Sequence, residues 1–332
     1  MTDPDTYLAL LLPVVAALAA RPLSERLSPR TAVWSLTGTG VALAVASLAT
    51  LAVSALGSAL RLPPIAALGH MSEAVLRRAP ITDPVYGTAA AVLLTVCLVA
   101  VACAAVRQGY RLAASARTAR SLPGDGLIAI MDDPEAEAFA LPGRPGRVVV
   151  TTGMLDVLTP AQRDALIAHE RAHLADRHHL FRALTTVAVA ANPLLWPLRS
   201  AVVFATERWA DERAAASIDD REQTAQAIGR AALAHSRRPR LSHAAALGIR
   251  GREGIGAERS GGRSIRAGRG PRRLTRRPGP LPRRVAALLG PPPARRPLLI
   301  AALVGLVLVS LLATQDAAFD LHELVEHAQA AD

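Results

Sequence analysis

Apolar and charged positions are segregated along this chain, and the segregation predicts its elements. Four stretches run almost without charge: Tyr7 to Leu23, Val33 to Leu60, Val85 to Val106 and Leu298 to Thr314. A helix needs about 20 apolar residues to cross roughly 30 Å of hydrocarbon. The second and third stretches meet that length, and the first and fourth come close to it. Membrane helices are therefore expected at residues 7–23, 33–60, 85–106 and 298–314, with a short external tail over 315–332. A cleaved signal is the alternative for the first stretch, but Asp3 and Asp5 stand where a signal carries positive charge.

Arginines set the expected orientation. Arg21, Arg26 and Arg30 follow the first stretch, Arg107, Arg111, Arg117 and Arg120 follow the third, and Arg295 and Arg296 precede the fourth. They place both termini outside and residues 107–297 in the cytoplasm. Arg61, Arg77 and Arg78, between the second and third stretches, favour the reverse.

Residues 107–236 read as a soluble domain. Arg107 to Arg120 continues as a basic helix, and short strands are expected at Leu127–Ile130, Ala138–Leu141 and Arg147–Thr152, the last two around the Pro/Gly turn 142–146. A helix should then start at Pro160 and end near Arg177. Thr159 is its N-cap, Pro160 suits the first helical position, and Gln162 completes a capping box. Beyond it, Gly, Pro and Arg dominate residues 237–284, so 237–297 reads as a disordered cytoplasmic linker before the last span.

Composition refines this picture in two ways. Of the 332 residues, 51% are hydrophobic and only 3% aromatic, which excludes a disordered chain throughout and a disulfide scaffold. The net charge of +11 suggests nucleic acid until it is mapped. All basic residues are Arg, and seventeen of them lie between Arg237 and Arg296 against only Glu253 and Glu258. The remainder of the chain is slightly acidic. Adhesion to anionic lipid is the functional alternative to a plain linker there, and because no aromatic residues interleave with those Arg, nucleic-acid binding is not expected. Cys97 and Cys103 sit six apart inside the third apolar stretch and read as small buried hydrophobes.

The chemistry concentrates on the helix at 160–177. It carries His169-Glu170-Arg171-Ala172-His173. A spacing of four puts both imidazoles on one face, where they can reach one Zn²⁺, while Glu170 on the adjoining flank can hold a water and take its proton. The bland alternative is a helix with two surface histidines. Two imidazoles are too few ligands for a zinc site. Downstream, Glu207 and Asp211 share a face of a second expected helix. One carboxylate can bind the metal while the other accepts an N–H from a ligand imidazole. Their alternative is pairing with Arg208 or Arg213 on an ordinary surface.

Ala168–His173, the Glu207-Arg-Trp-Ala-Asp211 segment, and the upstream Ala138–Pro142 and Val148–Leu155 segments resemble the BlaR/MecR-type membrane metallopeptidases. They are similar, more distantly, to HtpX/Ste24-type peptidases. The resemblance covers residues 1–235. It implies a multi-pass α-helical membrane protein of the bacterial cell membrane, with a cytoplasmic α+β, gluzincin-like zinc peptidase domain. It assigns one Zn²⁺ per chain to His169, His173 and Glu207, the general base to Glu170, and an orienting role to Asp211. The implied partners are the bilayer and a protein substrate, a winged-helix transcriptional repressor being one candidate. Turnover of damaged membrane proteins, and a non-catalytic regulator that keeps the zinc fold, are the rival functions. The antibiotic receptors carry a large sensor after the last span, where about 18 residues follow here, so direct β-lactam sensing is not expected.

Three further points are expectations of geometry. The largely apolar stretch from His179 to Thr206 cannot cross the membrane once, because Glu207 would then face away from His169. It is also too short to cross twice, so it should be domain core or lie on the membrane surface. His322 and His327 mimic the zinc motif, but their spacing of five separates them around a helix. His178 and His179 read as surface or orienting residues rather than ligands.

Overall fold

The computed structural model describes residues 4–68, 70–72, 75–76, 84–236, 279–291 and 296–330. It divides into two compact units. The first comprises Met1–Gly109, Arg177–Trp209 and Pro293–Asp332, and the second Tyr110–Asp176 and Ala210–Pro292.

The first unit is helical. Its long helices are α1 (Pro4–Arg26), α2 (Pro29–Ala59) and the N-terminal part of α4 (Pro84–Ser121), with the short α3 (Pro63–Leu68) between the last two. The helix α11 (Pro297–Ala330) packs against α1 and α2. Among the described residues, α2, α4 and α11 are long and apolar enough to cross a membrane. Small side chains such as Ala16, Ala20, Ala32 and Ala44 are fully buried at the helix contacts, where they let backbones approach closely. Polar residues link the helices: Thr50 and Thr314 hydroxyls lie 3.1 Å apart. Buried Arg208 donates to the carbonyls of Ser24, Glu25 and Leu27, capping the C-terminal end of α1 with a cation.

Most of the expected tail is helical. The helix begun at Pro297 continues to Ala330, because Leu321, Leu324, Val325 and Ala328 recur at helical spacing and pack on Leu60, Ala66, Met71 and Leu76. The Ser72 amide also donates to the Ala328 carbonyl.

The stretch expected on a membrane surface or in a domain core is a hairpin. The helix α7 (His178–Ala191), a 3₁₀ turn at Pro193–Leu195 and the helix α8 (Trp196–Ile218) follow one another. In this unit α7 packs along α2, and a Cβ at Gly40 would stand 3.3 Å from Leu198 Cδ2, so glycine permits the close approach. Of the two places expected for His178, the surface is excluded. The residue is 1% exposed and its ring lies 4.9 Å from that of Trp209, so it belongs to the core rather than the surface.

The second unit is built on a small sheet. Strands β1 (Ile128–Met131), β2 (Ala138–Leu141) and β3 (Arg147–Thr151) take the order β1-β3-β2, with β3 parallel to β1 and antiparallel to β2. The strand period of two sends Val148 and Val150 to one face, against Leu158 and Leu166, and Val149 to the other, against Ala119 and Leu141. The short α5 (Thr152–Val157) leads into α6 (Pro160–Ala175), on which α9 (Arg221–Ser236) packs. Within the expected linker, Pro280–Leu289 is a helix, α10, whose Leu281, Val285 and Leu288 pack on Ala215, Ala225 and Ile228. Its apolar residues recur at helical spacing behind Pro280, a pattern hidden by the Arg-rich composition. The rest of the linker expectation, 237–278 and 292–295, lies outside the described residues.

Candidate metal centre

Helix α6 starts at a defined residue, and that fixes where its histidines fall. The Gln162 amide donates to Thr159 Oγ1 and the Thr159 amide to Gln162 Oε1, satisfying two of the helix's orphan donors. Arg230 of α9 donates to the same Gln162 oxygen at 3.0 Å. Two turns further along, His169 and His173 turn their Nε2 atoms to within 3.2 Å of each other. Two nitrogens bound tetrahedrally to one zinc at 2.0–2.1 Å would stand about 3.3 Å apart, so the pair fits the ion without rearrangement. His169 is buried and His173 partly exposed.

The other ring nitrogen of His169 is held from behind. Its Nδ1 lies 3.1 Å from Asp211 Oδ1, and Asp211 is 2% exposed. Burial pushes the Asp211 carboxyl up, but the charge and hydrogen bonds of Arg284 outweigh burial and, with His169, hold it below the usual carboxylate range. Arg284, from α10, grips Asp211 with two bonds, Nε to Oδ2 at 2.8 Å and Nη2 to Oδ1 at 2.6 Å. An ionised carboxylate can only accept, so it keeps the proton of His169 on Nδ1 and leaves the Nε2 lone pair for a metal. Because the folded-state pKa is depressed, this contribution is complete above the ordinary carboxylate value and is lost only as pH falls through the still lower folded one. Mild acid therefore leaves the pair charged.

Arg284 was not legible as a site residue, since it sat in the Arg-rich run read as linker. Its role carries an expectation. Arg284→Ala leaves a buried, uncompensated carboxylate and should cost about 3–5 kcal/mol of stability. It should also weaken metal affinity by roughly 10–100-fold, with Arg284→Lys intermediate because it loses the two-pronged geometry. Denaturant unfolding and zinc competition with a chelator measure both. Unchanged values in Arg284→Ala would remove Arg284 from the site.

Glu170 follows His169 directly on α6 and is partly exposed. Glu207 belongs to the helical unit, where Arg182 of α7 donates to its Oε1 and to Thr206 Oγ1. It shares the unbroken helix α8 with Asp211, one turn before it and on the same face. Of the rejected motif, His322 forms an exposed pair with Glu326 at 3.3 Å, as surface residues do.

The arrangement of two converging imidazoles, one fixed in tautomer, beside a carboxylate suits hydrolytic metal chemistry. Comparison with known proteins agrees in kind: the model of Peptidase family M48 matches residues 105–288. No curated protein and no solved structure matched the chain.

Proposed function

The chain belongs to peptidase family M48, a family of generally zinc-dependent peptidases, and on that premise we propose that it is a membrane-bound zinc endopeptidase acting on cytoplasmic or membrane-proximal proteins. The observation that carries this reading is the His169–His173 pair, its Nε2 atoms 3.2 Å apart and His169 held by Asp211. Zinc would be held by His169, His173 and Glu207, and when bound it supplies a Lewis acid toward the scissile carbonyl and the attacking water. Helix α8 supports Glu207 as the third ligand, because it carries Glu207 one turn from the Asp211 that orients His169.

Glu170 acts as general base in this reading. Its carboxylate accepts the proton of the attacking water and later delivers it to the leaving amine, so the group ends as it began. Asp211 and Arg284 keep His169 oriented through the cycle. The presence of Glu170 favours catalysis over a structural metal site, which has no use for that carboxylate. Cleavage of a transcriptional repressor is the substrate suggested by the likeness to BlaR/MecR-type proteins, and protein quality control is its rival.

Purified in detergent, the full chain should cleave an unstructured model protein, lose that activity to a chelator and regain it with zinc. No cleavage by the zinc-loaded chain, or cleavage untouched by the chelator, would contradict the reading. The flanking Arg further favour a cytoplasmic catalytic unit. With Cys97 and Cys103 replaced, a cysteine at Ser217 should resist a membrane-impermeant thiol reagent in intact cells. Its labelling would reverse the sidedness.

A further inference from the structure

The hairpin of α7 and α8 follows the membrane helix α2 inward and returns. At one end, the Arg30 guanidinium lies over the Trp209 ring at 5.8 Å and Trp34 meets Phe181 edge-on at 4.9 Å. Further along α2, Gly40 touches Leu198. Further still, Asn192 Nδ2 donates to Ser47 Oγ at 2.9 Å, both buried. From Arg30 to Ser47 a helix rises about 26 Å, at 1.5 Å per residue. Measured from Arg30 as the polar boundary of α2, the turn at Pro193–Leu195 lies beyond the midplane of a hydrocarbon layer roughly 30 Å thick, and still within it.

The backbone of the turn is suited to such a depth. The Asn192 amide donates to the Ala188 carbonyl, and Asn192 Oδ1 accepts from the Leu194 amide, so the reversal leaves these groups satisfied without water. The large side chains facing away from the core are apolar: Leu184, Leu194 and Trp196 are 50%, 49% and 59% exposed, with the small Ser200 exposed beyond them. Arg199 stands near them. Its Nε donates to Thr186 Oγ1 and its guanidinium lies 5.4 Å from the Trp196 ring centroid, two contacts that lower the cost of a cation there.

We propose that α7 and α8 form a re-entrant hairpin whose outer face is covered by lipid acyl chains. It enters and leaves on the side of α2 marked by Arg30. The inference stands on the fold and not on catalysis. Joined to the proposed function, it has one consequence. Glu207 lies two residues before Trp209 on α8, so the third ligand sits at the membrane surface and favours substrates cut beside the bilayer.

Tryptophan fluorescence tests it. The full chain, with Trp34→Phe and Trp209→Phe, is reconstituted in phosphatidylcholine vesicles brominated either near the headgroup or deep in the acyl chain. Trp196 emission should be quenched by bromine in the acyl chains and be insensitive to aqueous iodide. Because those substitutions touch the Phe181 contacts, Trp196→Phe alone provides a second reading. Relative to the unsubstituted chain, it should lose most of the emission that bromine quenches. Iodide quenching of Trp196, or no quenching by bromine at either depth because protein covers the face, would overturn the proposal, as would an unchanged bromine-quenched signal in Trp196→Phe.

Discussion

Glu170→Gln is expected to lower peptide-bond hydrolysis by about 10²–10⁴-fold, the usual worth of a positioned general base, while zinc content stays at the wild-type level. The substitution keeps the size of the side chain and its place beside His169 on α6. It removes only the ability to take a proton, because an amide cannot do so near neutral pH. Ligand loss and base loss therefore separate cleanly, and a fall in rate without a fall in metal identifies the base. Turnover of a fluorogenic peptide, paired with elemental analysis of the same preparation, makes the measurement. Wild-type turnover in this variant would show that the proton is handled elsewhere.

His169→Ala should have a different signature. It removes a ligand and also leaves the buried Asp211–Arg284 pair facing an empty space where Nδ1 stood 3.1 Å away. Zinc occupancy and activity should both disappear. Stability should lose its dependence on metal as well. A ligand that binds only the folded state at 100 times its Kd adds about 2.7 kcal/mol. Chelator should therefore lower the Tm of the wild-type chain and leave that of His169→Ala where it is. A Tm that responds equally to chelator in both would place the metal at another site.

What could be read in the sequence was what helix periodicity and local capping decide. The spacing of four between His169 and His173 needs only α6 to be a helix, and Thr159, Pro160 and Gln162 announce its start within four residues. The shared face of Glu207 and Asp211 is likewise a property of one helix. The bond from Arg284 to Asp211 spans 73 residues and begins in a run of arginines that gives no sign which of them is buried. Helix α10 itself was hidden in the same way, its apolar spacing masked by Pro, Gly and Arg around it. The largely apolar stretch after His179 told of burial, yet its path along α2 depends on a contact between Asn192 and Ser47, 145 residues apart. The continuation of α11 past Thr314 was obscured because acidic residues there suggested an aqueous tail, while the leucines between them pack on the segment after α2.

The claim on which the rest depends is that α8 completes a site begun on α6, with Glu207 as the third ligand. Zinc content of the purified full chain, with and without Glu207→Gln, tests it most directly. The amide keeps the shape of the side chain, so Arg182 and Thr206 keep a neighbour of the same size. One zinc per chain in the wild type and a strongly reduced content in Glu207→Gln, under the same dialysis, is the predicted result. A full zinc complement in Glu207→Gln would contradict it.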